Sequence, residues 1–213
     1  MIDNQRIVII GGGLSGLTLA YLLSKKNINV LILEASARLG GRIQTVKGKL
    51  RTPLELGATW FSDMHPNQPF WRNDGYSGML YSHAGIITEM YDHTNFEENK
   101  FGFTGFLNGG AAAYLQEVRK ELVLRQLGDL IGEKALNPTA YFDKVWTNEF
   151  ILAGNQIIKH PHQDNGHPLL QQSYMNGNLY FAATETATQY PGYMEGAVIA
   201  ARSVFEKLTE GTP

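Results

Sequence analysis

Residues 6–42 read RIVIIGGGLSGLTLAYLLSKKNINVLILEASARLGGR, and the order of residue types in this stretch decides the fold. Ile7–Ile10 is a continuous, β-branched apolar run, the pattern of a short strand buried on both faces. Gly11, Gly13 and Gly16 come at once after it as G-x-G-x-x-G. The first glycine permits a tight turn, the second lets backbone N–H groups approach a pyrophosphate, and the third lets a helix pack closely on the strand. Ser15 to Lys26 carries Leu19, Leu22 and Leu23, flanked by Leu17 and Ala20, so a helix with its positive end toward the phosphates is expected. Asn29–Leu33 is a second strand, ending at Glu34, eighteen residues beyond Gly16. That is where a dinucleotide-binding βαβ unit places an acid that accepts hydrogen bonds from ribose hydroxyls. An acid there favours a free 2′-OH and would repel a 2′-phosphate.

Composition sets the bounds. At 213 residues the chain is long enough for one well-cored domain or two small ones. Its 43% hydrophobic and 18% charged residues are those of a globular protein, and a net charge of −2 supplies no basic field for nucleic acid or anionic membrane. No apolar run approaches a membrane span, and the N-terminus runs straight into the first strand, so a cytoplasmic location without membrane partners is expected. There are no cysteines, which excludes disulfides, thiolate metal sites and a thioether bond to a cofactor.

The residues after the βαβ unit point past a plain nicotinamide dehydrogenase. Glu34-Ala35 and then Arg38-Leu39-Gly40-Gly41-Arg42 resemble the second signature of the flavin-dependent amine oxidase family. Two glycines let the chain pass close to a cofactor, and Arg42 can neutralise a diphosphate or face the flavin. Glu55-Leu56-Gly57-Ala58-Thr59-Trp60 is similar to the same family, in which the small residues let backbone approach the isoalloxazine ring. Near the C-terminus Asn178–Ala182 reads as a strand, succeeded by Thr184-Glu185-Thr186-Ala187 and by Gly192-Tyr193-Met194-Glu195-Gly196-Ala197 opening a helix to about Leu208. This resembles the closing FAD motif of the amine oxidases, with Ala183 where the family usually has glycine. Val198, Ala201, Val204, Phe205 and Leu208 form that helix's expected apolar stripe.

Between these blocks the chain departs from the family. After Asn67 it passes to Gln68-Pro69-Phe70-Trp71-Arg72, which resembles a segment from far downstream, so most of the substrate domain and its lysine-bearing segment are missing. Met79–Ser82 and Ile86–Tyr91 alternate like a hairpin around Ala84-Gly85, and Phe101–Leu107 is a third strand. Ala111 to Leu130 has Leu115, Val118, Leu122 and Leu130 near helical spacing, widened by Leu124 and Leu127 and punctuated by Asn108 and Gly132. Tyr141–Thr147 is a strand carrying Trp146, which the resemblance places beside the flavin, or simply in the core. His160, His162, Asp164 and His167 lie close in sequence, but the prolines and polar residues around them favour a solvated loop over a metal site. The resemblance puts Asn155 near where some members carry a flavin-linked cysteine, so the flavin is expected to be non-covalent. It puts Gln156 where they carry one of two aromatic walls.

The fold expected is α/β, a Rossmann-type FAD-binding βαβ domain with a reduced β-rich remnant of a substrate domain. Residues 1–67 and 174–213 are assigned to the FAD-binding domain and 68–173 to the remnant. FAD would contact Gly11, Gly13, Ser15, Gly16, Glu34, Ala35, Gly41, Arg42, Gly57, Ala58, Thr59, Trp146, Thr184, Glu185, Tyr193 and Met194. Tyr193 would also face the substrate as one wall beside the ring. The family implies oxidation of a small amine to an imine, with oxygen reduced to peroxide. A flavin-binding remnant or partner subunit without its own turnover is the alternative, and a nicotinamide-dependent dehydrogenase a third. Apolar surface left bare by the missing middle favours a homo-oligomer.

Overall fold

The computed structural model describes residues 6–47, 53–55, 60–65, 69–95, 98–145 and 163–210. The chain divides into two compact units, one comprising Met1–Ile43 with Ile158–Pro213 and the other Gln44–Ile157.

In the first unit β1 (Ile7–Ile10) pairs in parallel with β2 (Val30–Leu33), in register from Ile7 opposite Val30 to Ile10 opposite Leu33. The crossover between them is α1 (Leu14–Ser24). Leu19 and Leu23 of α1 pack on Ile9 together with Ala201 and Val204 of α4 (Met194–Glu210). The C-terminal helix therefore closes the same core that the N-terminal βαβ unit opens, although Val204 and Val30 come from opposite ends of the chain. A short hairpin of β10 (Ser173–Tyr174) and β11 (Leu179–Tyr180) precedes α4, with β11 inside the strand expected over 178–182.

One expectation is corrected here. β1 is not buried on both faces: Ile9 is buried, but Ile10 is 85% exposed, and Val8 and Leu33 are exposed with it. Both helices contribute to the one core that contains Ile9, so they cover one face of a two-stranded sheet and leave the other without a layer among the described residues. An apolar sequence records affinity for a core, not the presence of a cover.

The second unit is built on a five-stranded antiparallel sheet of β5 (Trp60–His65), β6 (Leu80–Tyr81), β7 (Ile87–Asp92), β8 (Phe101–Leu107) and β9 (Ala140–Asp143), in the order β6-β7-β8-β5-β9. The expected hairpin is present, with Leu80 opposite Met90 and Tyr81 opposite Glu89. A smaller hairpin joins β3 (Thr45–Lys47) and β4 (Pro53–Glu55). Phe103, Leu107, Ile87 and Met90 form a core with Phe70 and Trp71 of α2 (Phe70–Asn73) and with Val123 and Leu127 of α3 (Gln116–Ile131).

The expected long helix is displaced. The Asn108 side chain accepts from the Ala111 amide at 3.1 Å and caps a separate 3-10 turn over Gly109–Ala113; the chain is extended at Tyr114 and Leu115 before α3 begins. The buried stripe of α3 is Arg119, Val123 and Leu127, while Leu115, Val118 and Leu130 are exposed. Counting apolar residues misses this phase because a charged residue, Arg119, occupies the inward row. It does so paired with Asp143 of β9, its Nε and Nη2 donating to Oδ2 and Oδ1 at 2.8 and 2.7 Å. Gly132, at φ +96°, ends α3 as expected. The strand expected over 141–147 ends at Asp143, and Trp146 lies outside the described residues.

Candidate functional site: a glycine-lined turn closed by the C-terminal segment

Gly16 shows why the turn after β1 needs glycines. A Cβ there would lie 2.1 Å from the Gly11 carbonyl oxygen and 3.2 Å from Ile9, so any side chain would push α1 off its strand. The first turn of α1 has Gly13 as its N-cap and receives no side-chain cap, which leaves its positive end without a capping side chain against it. The Ser15 hydroxyl donates instead to the Ala182 carbonyl, tying the start of α1 to the segment after β11.

Glu34 sits at the end of β2, as the sequence requires. Its Oε2 accepts from the Gly12 amide at 2.7 Å, and its Oε1 accepts from the Ser36 amide and hydroxyl at 2.8 and 2.9 Å. The Ser36 amide, then the Gly12 amide and the Ser36 hydroxyl, hold the carboxyl down to about 2, so it is a fixed anion at neutral pH. Ala35, the next residue, is exposed at the bend after β2.

The Gly40-Gly41 pair serves backbone approach, but the backbone it approaches is the protein's own. Gly40 bridges Gly13 in parallel and donates to the Gly12 carbonyl at 2.8 Å. A Cβ on Gly41 (φ +58°) would stand 3.1 Å from the Gly13 Cα. Arg38, which the sequence presents only as part of the motif, clamps this loop: its Nη2 donates to the Gly41 carbonyl at 2.7 Å and its Nη1 to the Ile43 carbonyl at 3.1 Å. The one signal for that role in the sequence is an arginine beside a glycine turn whose carbonyls need donors. Ser36 and Gly12, which hold Glu34, escape sequence reasoning in the same way.

The C-terminal segment meets this loop through charge. Arg42 Nη2 lies 2.9 Å from Glu185 Oε1. Arg42 is therefore paired within the protein. Thr184 is buried, and its hydroxyl donates to the Tyr193 carbonyl at 2.7 Å while accepting from the Gly192 amide at 3.0 Å, locking a 3-10 turn at Thr184–Thr186 to the entry of α4. Gly196 is a further residue whose role the sequence does not declare: a Cβ there would lie 2.1 Å from the Tyr190 carbonyl oxygen. Ala183 adopts an ordinary extended conformation at φ −76°, so its Cβ imposes no backbone strain. Tyr193 and Met194 are exposed, with Tyr193 at 71%.

The structure thus joins Gly13, Ser15, Gly16, Glu34, Gly41 and Arg42 to Glu185 and Thr184 within one unit. Gly57, Ala58, Thr59 and Trp146 lie outside the described residues, as do Asn155, Gln156, His160 and His162. Among the described residues no three His, Cys, Asp or Glu side chains gather as metal ligands.

Comparison with known proteins agrees with this geometry. Residues 9–73 match the NAD(P)-binding Rossmann-like domain, and residues 67–204 match the flavin containing amine oxidoreductase model. The chain belongs to the flavin-containing amine oxidoreductase family. It is 32% identical to Amine oxidase [flavin-containing] B of Bos taurus over 168 residues, covering 73% of this chain and 31% of that protein. It is 30% identical to the probable flavin-containing monoamine oxidase A of Dictyostelium discoideum over 151 residues, covering 68% and 32%. The chain thus spans about a third of the length of these curated relatives. Among solved structures, a putrescine oxidase triple mutant superposes with TM-score 0.78 at 13% identity, over 97% of this chain and 99% of that one. Cyclohexylamine oxidase from Brevibacterium oxydans superposes with TM-score 0.59 at 22% identity, over 96% and 42%. At these identities the superpositions show the fold, that of the family's Rossmann-type α/β architecture. No helix among the described residues is long and apolar enough to cross a membrane.

Proposed function

We propose that the first unit binds FAD non-covalently and that the protein oxidises a small amine to an imine, with the electrons passed to oxygen as peroxide. The observation that carries this reading is the Glu34 carboxylate, held ionised beside Gly12 at the mouth of a turn that admits no Cβ at Gly16. These residues fit the adenosine diphosphate end of the cofactor: Glu34 as acceptor for ribose hydroxyls, and the uncapped first turn of α1 with Gly13 and Ser15 for the diphosphate. Gly11, Gly41, Arg42, Thr184, Glu185, Tyr193 and Met194, with Ala35 at the bend, complete the proposed contacts, and Gly57, Ala58, Thr59 and Trp146 are carried into the proposal from sequence. A non-covalent mode is in keeping with the absence of cysteine.

Bound flavin supplies the two-electron redox chemistry. The chain's own residues bind and orient. Thr184 fixes the carbonyl of Tyr193 and so the backbone from which that ring projects, and the proposed role of Tyr193 is a wall against the substrate. The second reading, a flavin-binding remnant or partner subunit without turnover of its own, is favoured by the passage from Asn67 to Gln68-Pro69-Phe70-Trp71-Arg72, which resembles a segment far downstream in the family.

A purified sample tests both. Flavin absorption that persists through gel filtration supports cofactor binding, and its absence after reconstitution overturns it. Peroxide release on addition of a panel of primary amines selects the oxidase reading; flavin binding with no peroxide selects the subunit reading.

A further inference from the structure

The chain contains three Asn-Gly pairs, Asn108-Gly109, Asn165-Gly166 and Asn176-Gly177. In each, the side-chain amide carbon is one ring closure away from the next backbone nitrogen, and glycine has no Cβ to block the approach. What separates the pairs is how their reacting groups are held. The Asn108 side chain is fixed at both ends, its Nδ2 donating to the Gly85 carbonyl at 3.0 Å and its Oδ1 accepting from the Ala111 amide at 3.1 Å. In the second pair the Gly166 amide donates to the Glu185 carbonyl at 2.7 Å. Asn176-Gly177 carries neither restraint. It forms the tip of the β10–β11 hairpin, where Met175, Asn176 and Gly177 take φ of +52°, +57° and +82° in succession. Asparagine tolerates this left-handed conformation, so the turn itself calls for the pair. The turn is closed by Asn178, whose amide donates to the Tyr174 carbonyl at 3.0 Å and whose side chain donates to the Met175 carbonyl at 2.9 Å. Asn176 and Gly177 are both exposed, and among the described residues no hydrogen bond engages the Asn176 side chain or the Gly177 amide.

We propose that Asn176-Gly177 is a site of self-modification, at which the folded chain converts asparagine to aspartate and isoaspartate in preference to the other two pairs. The Gly177 nitrogen gives its proton to water and attacks Asn176 Cγ. As the N–Cγ bond forms, the Cγ–Nδ2 bond breaks and the side-chain nitrogen leaves as ammonia, closing a succinimide. Water then opens the ring. Cleavage of the new N–Cγ bond gives aspartate, and cleavage of the original peptide bond gives isoaspartate. One water is consumed, one ammonia is released and nothing is oxidised or reduced. Attack needs a nitrogen free to lose its proton and a side chain free to turn toward it. Gly166 fails the first requirement, Asn108 the second, and Asn176-Gly177 meets both. Isoaspartate routes the main chain through Cβ and adds one carbon between residues 176 and 177. The added atom falls inside the turn that the Asn178 amide closes on Tyr174, so the hairpin leading to the Thr184–Thr186 turn loosens. Neither flavin nor amine takes part, so this inference stands apart from the proposed oxidase.

The test ages the full-length chain at neutral pH, folded and in urea, and assigns each amide-to-acid conversion to its residue by fragment-ion mass spectrometry. Dividing each pair's folded rate by its own rate in urea removes the influence of neighbouring residues. Asn176 is expected to convert in the folded chain nearly as fast as in urea. Asn108 and Asn165 are expected to be slowed by at least about three-fold, since a hydrogen bond must first be broken at each. A folded-to-urea ratio for Asn176 no higher than those of Asn108 and Asn165 overturns the proposal, as does isoaspartate that persists in Asn176→Gln. The effect on the hairpin is read by amide hydrogen exchange over residues 173–180 in the aged, isoaspartate-containing fraction. Exchange there is expected to be faster than in fresh protein, whereas Asn176→Asp, which adds the charge without the extra carbon, is expected to match fresh protein. Equal acceleration in the two overturns the assignment of the loosening to the lengthened backbone.

Discussion

Arg42 and Glu185 are 143 residues apart in sequence and meet at 2.9 Å, the charge contact between the N-terminal glycine loop and the C-terminal motif. Their side chains remain 50% and 39% exposed, so water screens the pair and the stability it adds is small. A double-mutant cycle with Arg42→Ala and Glu185→Ala, read by urea denaturation, is expected to give a coupling of at most about 1 kcal/mol. A coupling well above that would mean the pair is desolvated in solution by something packed over it.

Gly16 carries a larger and purely steric constraint. Gly16→Ala places a methyl 2.1 Å from the Gly11 carbonyl oxygen, an atom of fixed backbone that has no rotamer to escape through. The expected loss is about 1–3 kcal/mol of unfolding free energy, together with displacement of the α1 N-terminus and loss of flavin. Gly109→Ala is the matching control. A Cβ there meets nothing within 4 Å, and its stability in the same denaturation series is expected to stay within about 0.5 kcal/mol of wild type.

The elements legible in sequence are those whose cause is local. G-x-G-x-x-G, the acid at Glu34 and the Gly132 helix stop each arise from one turn or one hydrogen-bond requirement, and the structure places them where the spacing says. The features hidden from sequence depend on partners far away in the chain. Arg119 reads as a solvated charge until Asp143 is known to lie beside it, and that ignorance shifts the phase of a whole helix. Val8 and Ile10 read as doubly buried because nothing in a strand's composition says how many layers the rest of the chain supplies. Arg38 and Ser36 serve neighbours in a loop whose shape the sequence does not specify.

Acid is expected to destabilise the protein through two carboxylates. Glu34 is lowered from 4.5 to about 2 by hydrogen bonds from Ser36 and Gly12. For Asp92, burial pushes upward, but donors outweigh it: Arg72 Nε at 2.8 Å, Thr94 and the Trp71 indole at 2.7 Å leave it at about 2, from 3.8. Both folded values lie below the unfolded ones, so the unfolded chain binds more protons in this window. The stabilisation is therefore complete above about pH 4.5 and lost as pH falls toward 2. Denaturation midpoints at pH 7, 4 and 3 are expected to fall in that order, and Asp92→Asn to flatten the profile while lowering the midpoint at pH 7. Glu34→Gln is expected to flatten it as well, and to weaken retention of FAD on the order of ten-fold by removing a charged acceptor. Undiminished flavin in Glu34→Gln would remove Glu34 from the cofactor site.

The Arg119–Asp143 pair behaves differently from Arg42–Glu185 because it is dry. Side-chain exposures are 9% and 3%, the contact is bidentate, and the Tyr141 hydroxyl donates to Asp143 Oδ2 at 3.0 Å. Asp143→Ala strands a guanidinium on the buried row of α3 with Val123 and Leu127, and is expected to cost about 3 kcal/mol or more. Asp143→Asn keeps an acceptor for one arginine nitrogen and is expected to cost less. Replacing both partners, Arg119→Met with Asp143→Leu, removes two desolvated charges and fills their volume with apolar atoms; its stability is expected to return close to wild type. Urea denaturation of the three variants separates two roles for the pair. If the double variant is as unstable as Asp143→Ala, the hydrogen bonds themselves hold β9 against α3; if it recovers, the charges are a requirement only of each other.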